Sequence, residues 1–223
     1  MPFAMDSKRW SSGLRGPMSS SKTPDYGRRA VYKPAADFAR RKIPVSILNG
    51  GVLLRLHVTD RQALFFGRRA GNRFTPENSP RGVMYLGEDL ETCIFEVFGD
   101  EMLEKRCLVR AFRWMNYSVS KIAYPELRVC DFTDAVTNTA AGVDLASLMA
   151  QDLEVPQAWS RAVMNHPSGF QAIRYACRFT GRHSLALFDL PEVCASLRAE
   201  MIGPLHAMSE AGKFLDRYEV AIV

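Results

Sequence analysis

Residues 45–223 break into segments of five to nine residues rich in Val, Leu, Ile, Tyr and Phe, separated by glycine, proline and charge. Stretches of helical spacing fall between them at irregular intervals. Segments so short read as strands, and their failure to alternate regularly with helices argues against β-α-β layering and for an α+β fold. The strand-like segments are 52–58 (VLLRLHV), 82–87 (GVMYLG), 107–114, 126–132, 171–177, 184–188 and the C-terminal 215–223. Helical spacing is clearest between Asp89, a candidate N-cap, and Gly99, a candidate stop. There Leu90, Cys93, Ile94 and Val97 fall at i, i+3, i+4 and i+7. Helices are also expected over 144–152 and 157–165, with a short one in 35–42 ahead of Pro44. Residues 59–81, which hold Gly67, Gly71, Pro76 and Pro80, read as one long loop. Loops of that length in compact domains are commonly functional.

Charge divides the chain. Residues 1–44 hold ten basic and three acidic residues, a net of +7, while residues 45–223 hold nineteen and twenty-one, a net of −2. The first 30 residues are also rich in Ser, Gly and Pro, a composition that cannot bury enough surface to offset ordering. The expected organisation is a basic, largely flexible extension over 1–44 and a single domain over 45–223. A basic arm can touch nucleic acid, but the ordered body is not basic and carries no reading motif, so nucleic-acid contact is not expected elsewhere. No run of 18 apolar residues and no secretory leader pattern is present, so a cytoplasmic protein without a membrane span is expected. The five cysteines form no Cys-x-x-Cys pair and sit in apolar surroundings, as buried, reduced thiols do. Neither they nor His57, His166, His183 and His206 show metal-ligand spacing, so no metal is expected.

Four charged or polar residues stand in stretches that should be buried or aimed at a cleft. Arg55 interrupts an apolar strand; Arg73 lies in GNRFTP; Tyr85 lies in GVMYLG; Glu96 sits beside Cys93 at the edge of the apolar stripe of its helix. Burying an arginine or glutamate without a partner is costly, so each needs a reason. Taken singly, each fits a structural role: an Arg55–Glu96 ion pair, a loop charge, a core aromatic. No G-x-G-x-x-G follows a strand, which excludes a Rossmann dinucleotide site.

Taken together, an Arg within a strand, NRFTP, GVMYLG and a helix bearing Phe-Glu-Val resemble the RES domain family. A later block, LEVPQAWSRAVMNHPSGFQAIRYACRFTGRHSLALFD, is similar to that family's second conserved segment, and the resemblance covers roughly residues 50–190. It implies an ADP-ribosyltransferase-like mixed β core with flanking helices. It also implies a toxin-like enzyme that consumes NAD as a substrate: an NAD glycohydrolase, an NAD phosphorylase or an ADP-ribosyltransferase acting on a protein acceptor. By the same resemblance Arg55 and Glu96 match the family's arginine and glutamate, while Arg73 and Tyr85 fall where further NAD-pocket residues occur. The family's serine lies in a Tyr-x-Ser-Arg segment, which here reads Tyr175-Ala176-Cys177-Arg178, so Cys177 holds the serine position. The expected catalytic set is thus Glu96, Arg55 and Cys177, and the NAD-binding set adds Arg73 and Tyr85. A pocket thiol beside Arg55 and Arg73 should have a lowered pKa. The substitution also opens the alternative of a non-catalytic NAD- or nucleotide-binding module. The resemblance further implies a helical Xre-type antitoxin as partner, through which nucleic acid could be reached indirectly.

Overall fold

The splay between two central strands positions everything that follows. In the computed structural model, which describes residues 32–79 and 81–223, strand β1 (Ser46–Leu48) precedes β2 (Gly51–Val58) and β3 (Val83–Gly87). Helix α1 (Leu90–Glu104), β4 (Leu108–Val109), α2 (Ala111–Met115), β5 (Tyr117–Tyr124) and β6 (Leu127–Asp131) follow. Next come α3 (Ala135–Ala141), α4 (Leu145–Leu148), α5 (Glu154–Met164), β7 (Ala172–Ala176) and β8 (His183–Phe188). The chain ends with α6 (Pro191–Ser196), β9 (Arg198–Pro204), α7 (Ser209–Arg217) and β10 (Ala221–Ile222). Eight strands form one sheet in the order β1-β6-β7-β8-β3-β2-β5-β9; β10 pairs β4 separately. Within the sheet β6 and β7 run parallel and the other neighbours antiparallel. The expected α+β fold, a mixed β core with flanking helices, is what the chain adopts.

β2 pairs β5 along its whole length, from Gly51↔Tyr124 to Val58↔Tyr117. Among the described residues it meets β3 only at Leu54↔Gly87. Beyond that pair the two strands diverge, and the second half of β2 borders an opening instead of a ladder partner. Unpaired backbone can persist there because water or a ligand can satisfy it.

Side chains alternate across the sheet as the pleat requires. Val83 and Tyr85 of β3 pack into a core with Phe74, Phe132, Trp159 and Phe188, while Met84 and Leu86 pack on the other face with Ile122, Leu127, Leu185 and Val193. A third core joins α1 to α7 through Ile94, Phe98, Trp114, Val119 and Phe214. Residues 32–44 pack on the body: Trp159 Nε1 donates to the Tyr32 carbonyl at 2.7 Å, and Phe38 meets the Trp159 ring edge-on at 5.5 Å. Only Phe38–Arg40 is helical there, as a single 3₁₀ turn. The first 31 residues of the expected flexible extension lie outside the described residues.

Asp89 caps α1 by accepting from Thr92 N at 2.8 Å, as expected. Gly99 does not stop the helix. A Cβ there would collide with the Phe179 ring, so the glycine allows a close approach inside the helix. The expected strand over 107–114 is shortened to β4. Arg106 and Cys107 both take positive φ and turn the chain, after which α2 buries Trp114. That turn leaves Cys107 exposed, whereas Cys93, Cys130 and Cys177 are buried as expected. Of the expected C-terminal strand 215–223 only Ala221–Ile222 is extended: its first three residues end α7, whose Ala211, Phe214 and Leu215, with Tyr218 just beyond, fall at i, i+3, i+4 and i+7 and pack on the α1 core. Helix 144–152 contracts to α4, and β5, α3, α6 and β9 were not anticipated.

Candidate active site

The opening between β2 and β3 leads into a cavity of about 520 Å³, within the range of small-molecule and cofactor sites. Its wall takes Arg55, Leu56, His57 and Val58 from β2, Tyr85 from β3, and Glu96, Val97 and Asp100 from α1. Arg61, Phe65 and Arg73 come from the long loop after β2, Met149 and Gln151 from the loop after α4, and Tyr175, Arg178 and Phe179 from the end of β7 and just beyond.

Glu96 is accessible through the cavity yet deeply set among protein atoms. Burial therefore raises its carboxyl pKa, against the opposing influence of Cys177, Tyr175, Arg73 and Arg178. Tyr175 Oη donates to Glu96 Oε2 at 3.0 Å. Phe74 meets the Tyr175 ring edge-on at 4.8 Å and locks its position. The result is a carboxylate whose direction is set by a rigid phenol.

The other expected residues build the wall with their polar ends. Arg55 donates from Nη1 to the Ala63 carbonyl and from Nη2 to the Phe65 carbonyl at 2.6 Å. Burial, and then the charge of Arg61, brings its pKa down to about 10. Arg73 Nη1 donates to the carbonyls of Leu148 at 3.0 Å and Ala150 at 3.1 Å. Tyr85 Oη accepts from Phe74 N at 2.9 Å and shares a hydrogen bond with Thr75 Oγ1 at 3.0 Å. Arg55 and Tyr85 thus tie the long loop to the sheet, and Arg73 ties that loop to the end of α4, while the body of each faces the cavity. No Arg55–Glu96 ion pair is formed among the described residues.

Cys177 lies behind Glu96, not on the cavity surface, and is 1% exposed. Burial, and then the Glu96 charge, raises its thiol pKa. The expected lowering by Arg55 and Arg73 does not occur, because those guanidiniums are turned to loop carbonyls while the thiol faces a carboxyl group. Tyr175 and Arg178 were named in the sequence only as the frame around Cys177. Arg178 pairs with Asp100, its guanidinium carbon lies 4.6 Å from the Phe179 ring centroid, and its charge acts on Glu96. The alternation that puts Tyr175 of β7 and Cys177 just after it on one side of the chain is a usable signal for Tyr175. No group of three or more His, Cys, Asp or Glu among the described residues is placed to hold a metal ion. No helix among them is long and apolar enough to cross a membrane.

A solved chain from the M. tuberculosis MbcT–MbcA toxin–antitoxin complex shares this fold with a TM-score of 0.59 at 19% identity, over 76% of this chain and 91% of that one. No curated protein matches. The RES domain matches residues 52–207, the span from the start of β2 through the turn after β9 that contains every wall residue named above. On that match, the chain belongs to the RES domain family.

Proposed function

We propose that this chain binds NAD in the cavity and breaks the bond between nicotinamide and ribose, passing ADP-ribose to water, inorganic phosphate or a protein side chain. The observation that carries the reading is Glu96, a carboxylate held by Tyr175 inside a cavity whose wall is rich in arginine.

Cleavage of this bond sends the C1′–N electron pair to the nicotinamide nitrogen, which leaves neutral and needs no proton. The ribose develops oxocarbenium character, and a fixed negative charge beside it lowers the barrier. Ionised Glu96 supplies that charge. Oxygen of the acceptor then bonds C1′, and a water acceptor gives its proton to solvent. Arg73 and Arg178 provide positive charge beside Glu96 for the pyrophosphate, while Arg55, whose two Nη groups are taken by the Ala63 and Phe65 carbonyls, adds charge from β2 without contacting it. The rings of Tyr85 and Tyr175 wall the reacting end. Cys177 occupies the place of the family's serine and supports Glu96 from behind.

Kinship of fold with a chain from a toxin–antitoxin complex supports a second part of the proposal: the protein is the toxin of such a pair, restrained by a helical Xre-type antitoxin. Incubating the purified protein with NAD, with and without phosphate, and following nicotinamide release tests the activity. Phosphate-dependent release marks a phosphorylase and phosphate-independent release a glycohydrolase. The non-catalytic alternative rests on the raised pKa of Glu96 and on Cys177. It predicts NAD binding with no nicotinamide release at any pH.

A further inference from the structure

Phe65 breaks the burial pattern of its loop. Ala63, Leu64 and Phe66 pack onto the core beneath the sheet, and Gly67 forms a bridge with Val83 that pins the loop's exit. Phe65 between them turns its ring outward, 43% exposed, and lines the cavity. A ligand that covered this ring inside the cavity would gain the apolar surface it removes from water.

The ring is also held. Arg55 takes the carbonyls of Ala63 and Phe65 in its fork, so the backbone on both sides of Leu64 is fixed from β2. Phe65 N donates to the Gln62 carbonyl at 3.1 Å. On the ring itself, the Arg61 guanidinium carbon lies 5.1 Å from the centroid. A lysine at 55 has donors enough but a single nitrogen, without the planar fork whose two nitrogens each take one carbonyl here, which gives the arginine its reason.

We propose that Phe65 is the stacking platform for the adenine of the dinucleotide and that Arg55 is its positioning residue, acting through the Ala63 and Phe65 carbonyls. The inference rests on the NAD reading above and assigns the end of the cavity that the chemistry leaves open. The reacting nicotinamide riboside belongs beside Glu96, whose neighbours are Tyr175, Cys177, Arg73 and Arg178. Phe65 belongs to a different part of the wall, with Arg55 and Arg61. A dinucleotide that reaches both parts brings its second base to the phenyl ring, and a purine face on an aromatic ring needs no hydrogen-bond code.

The test is equilibrium binding by calorimetry of AMP and of nicotinamide mononucleotide, which carry the two halves of NAD separately, to the full chain and to F65A, F65W and R55K. Thermal melting shows that each variant is folded. F65A should weaken AMP binding about tenfold, the scale of one base–aromatic stack, and shift nicotinamide mononucleotide far less. F65W should restore AMP binding. R55K should weaken AMP in the wild-type background and add little in the F65A background, because both changes remove the same platform. AMP affinity indifferent to Phe65, equal weakening of both mononucleotides by F65A, failure of tryptophan to rescue, or no AMP binding by the wild type at millimolar concentration would each overturn the proposal. A wild type that binds AMP through Phe65 but releases no nicotinamide would sink the proposed activity and leave the platform standing. Active wild type with Phe65-independent AMP binding would do the reverse.

Discussion

Tyr175 donates its phenolic hydrogen to Glu96 Oε2 at 3.0 Å from a ring that is 2% exposed, so the one carboxylate proposed to face the reacting sugar is aimed by a side chain packed into the core. A hydrogen bond to the charged form lowers a carboxyl pKa, and removing it raises the pKa. Glu96 already lies above the ordinary value because of burial. The proposed cleavage uses the ionised form, so activity should be lost as pH falls through this raised value. Tyr175→Phe should therefore move the acid limb of the kcat profile to higher pH and leave activity well above the limb within several-fold of wild type. An unmoved limb would mean that Tyr175 serves packing alone.

Glu96→Gln preserves shape and hydrogen bonding to Tyr175 while removing the charge. Nicotinamide release should fall by at least about a hundredfold, the scale of one electrostatic stabiliser, with melting temperature unchanged. In cells, expression of the full chain should slow bacterial growth and deplete NAD, and the E96Q chain should do neither. Growth arrest by both chains would place the toxicity elsewhere.

Cys177 is buried with a raised thiol pKa, and Cys93 is pushed up to about 12 by burial. Neither should react with iodoacetamide in the native protein, whereas exposed Cys107 should be labelled at once, as read by peptide mass spectrometry. Cys177→Ser should retain or raise turnover, since a hydroxyl is the better donor to Glu96. Loss of turnover in a folded C177S protein would show that the serine equivalence is mistaken.

Gly99→Ala would ordinarily favour a helix by about 1 kcal/mol. Here the added Cβ would fall against the Phe179 ring, which stacks on Phe95 with centroids 5.3 Å apart, so the ring would have to leave that stack. Overpacking costs about 1–3 kcal/mol, so the net effect should be destabilisation of about 1 kcal/mol, read by urea unfolding. Since Phe179 lines the cavity, the KM for NAD should rise as well.

Glu101 accepts from Lys105 Nζ at 2.9 Å, from Arg110 N at 3.4 Å and from Arg113. Burial raises its pKa, but the Lys105 hydrogen bond and the Arg113 charge outweigh it, and the net value is lowered. A carboxyl depressed in the folded state adds stability above its unfolded pKa and loses it as pH falls through the folded value. Glu101→Gln should therefore cost on the order of 2 kcal/mol at pH 7, as for hydrogen bonds to a charged group, and progressively less below pH 4. A pH-independent cost would point to packing instead.

The α+β class, the N-cap at Asp89 and the stripe Leu90–Cys93–Ile94 were legible because they depend on neighbours within a turn or a pleat. So were the family and the residues carrying it, because Arg55, Glu96 and the Tyr175–Arg178 frame are chemically conspicuous in apolar stretches. The last turn of α7 escapes a sequence reading because LDRYEVAIV alternates well enough to pass for one strand, while the spacing from Ala211 to Tyr218 matters only against α1. Gly99 was read as a stop because the ring it accommodates, Phe179, is 80 residues away in the chain. Cys177 was expected to be activated by arginines that are close to it in the family pattern, but guanidinium direction is decided by which carbonyls lie within reach. Which residues are available to the site is written in their order along the chain. What each polar end touches follows from folding, which opens β2 from β3 beyond Leu54↔Gly87, turns Arg55 and Arg73 to loop carbonyls, and leaves Glu96 facing the cavity. Apolar periodicity is a local property of the chain, whereas the partners of a buried charge come from segments far apart in it.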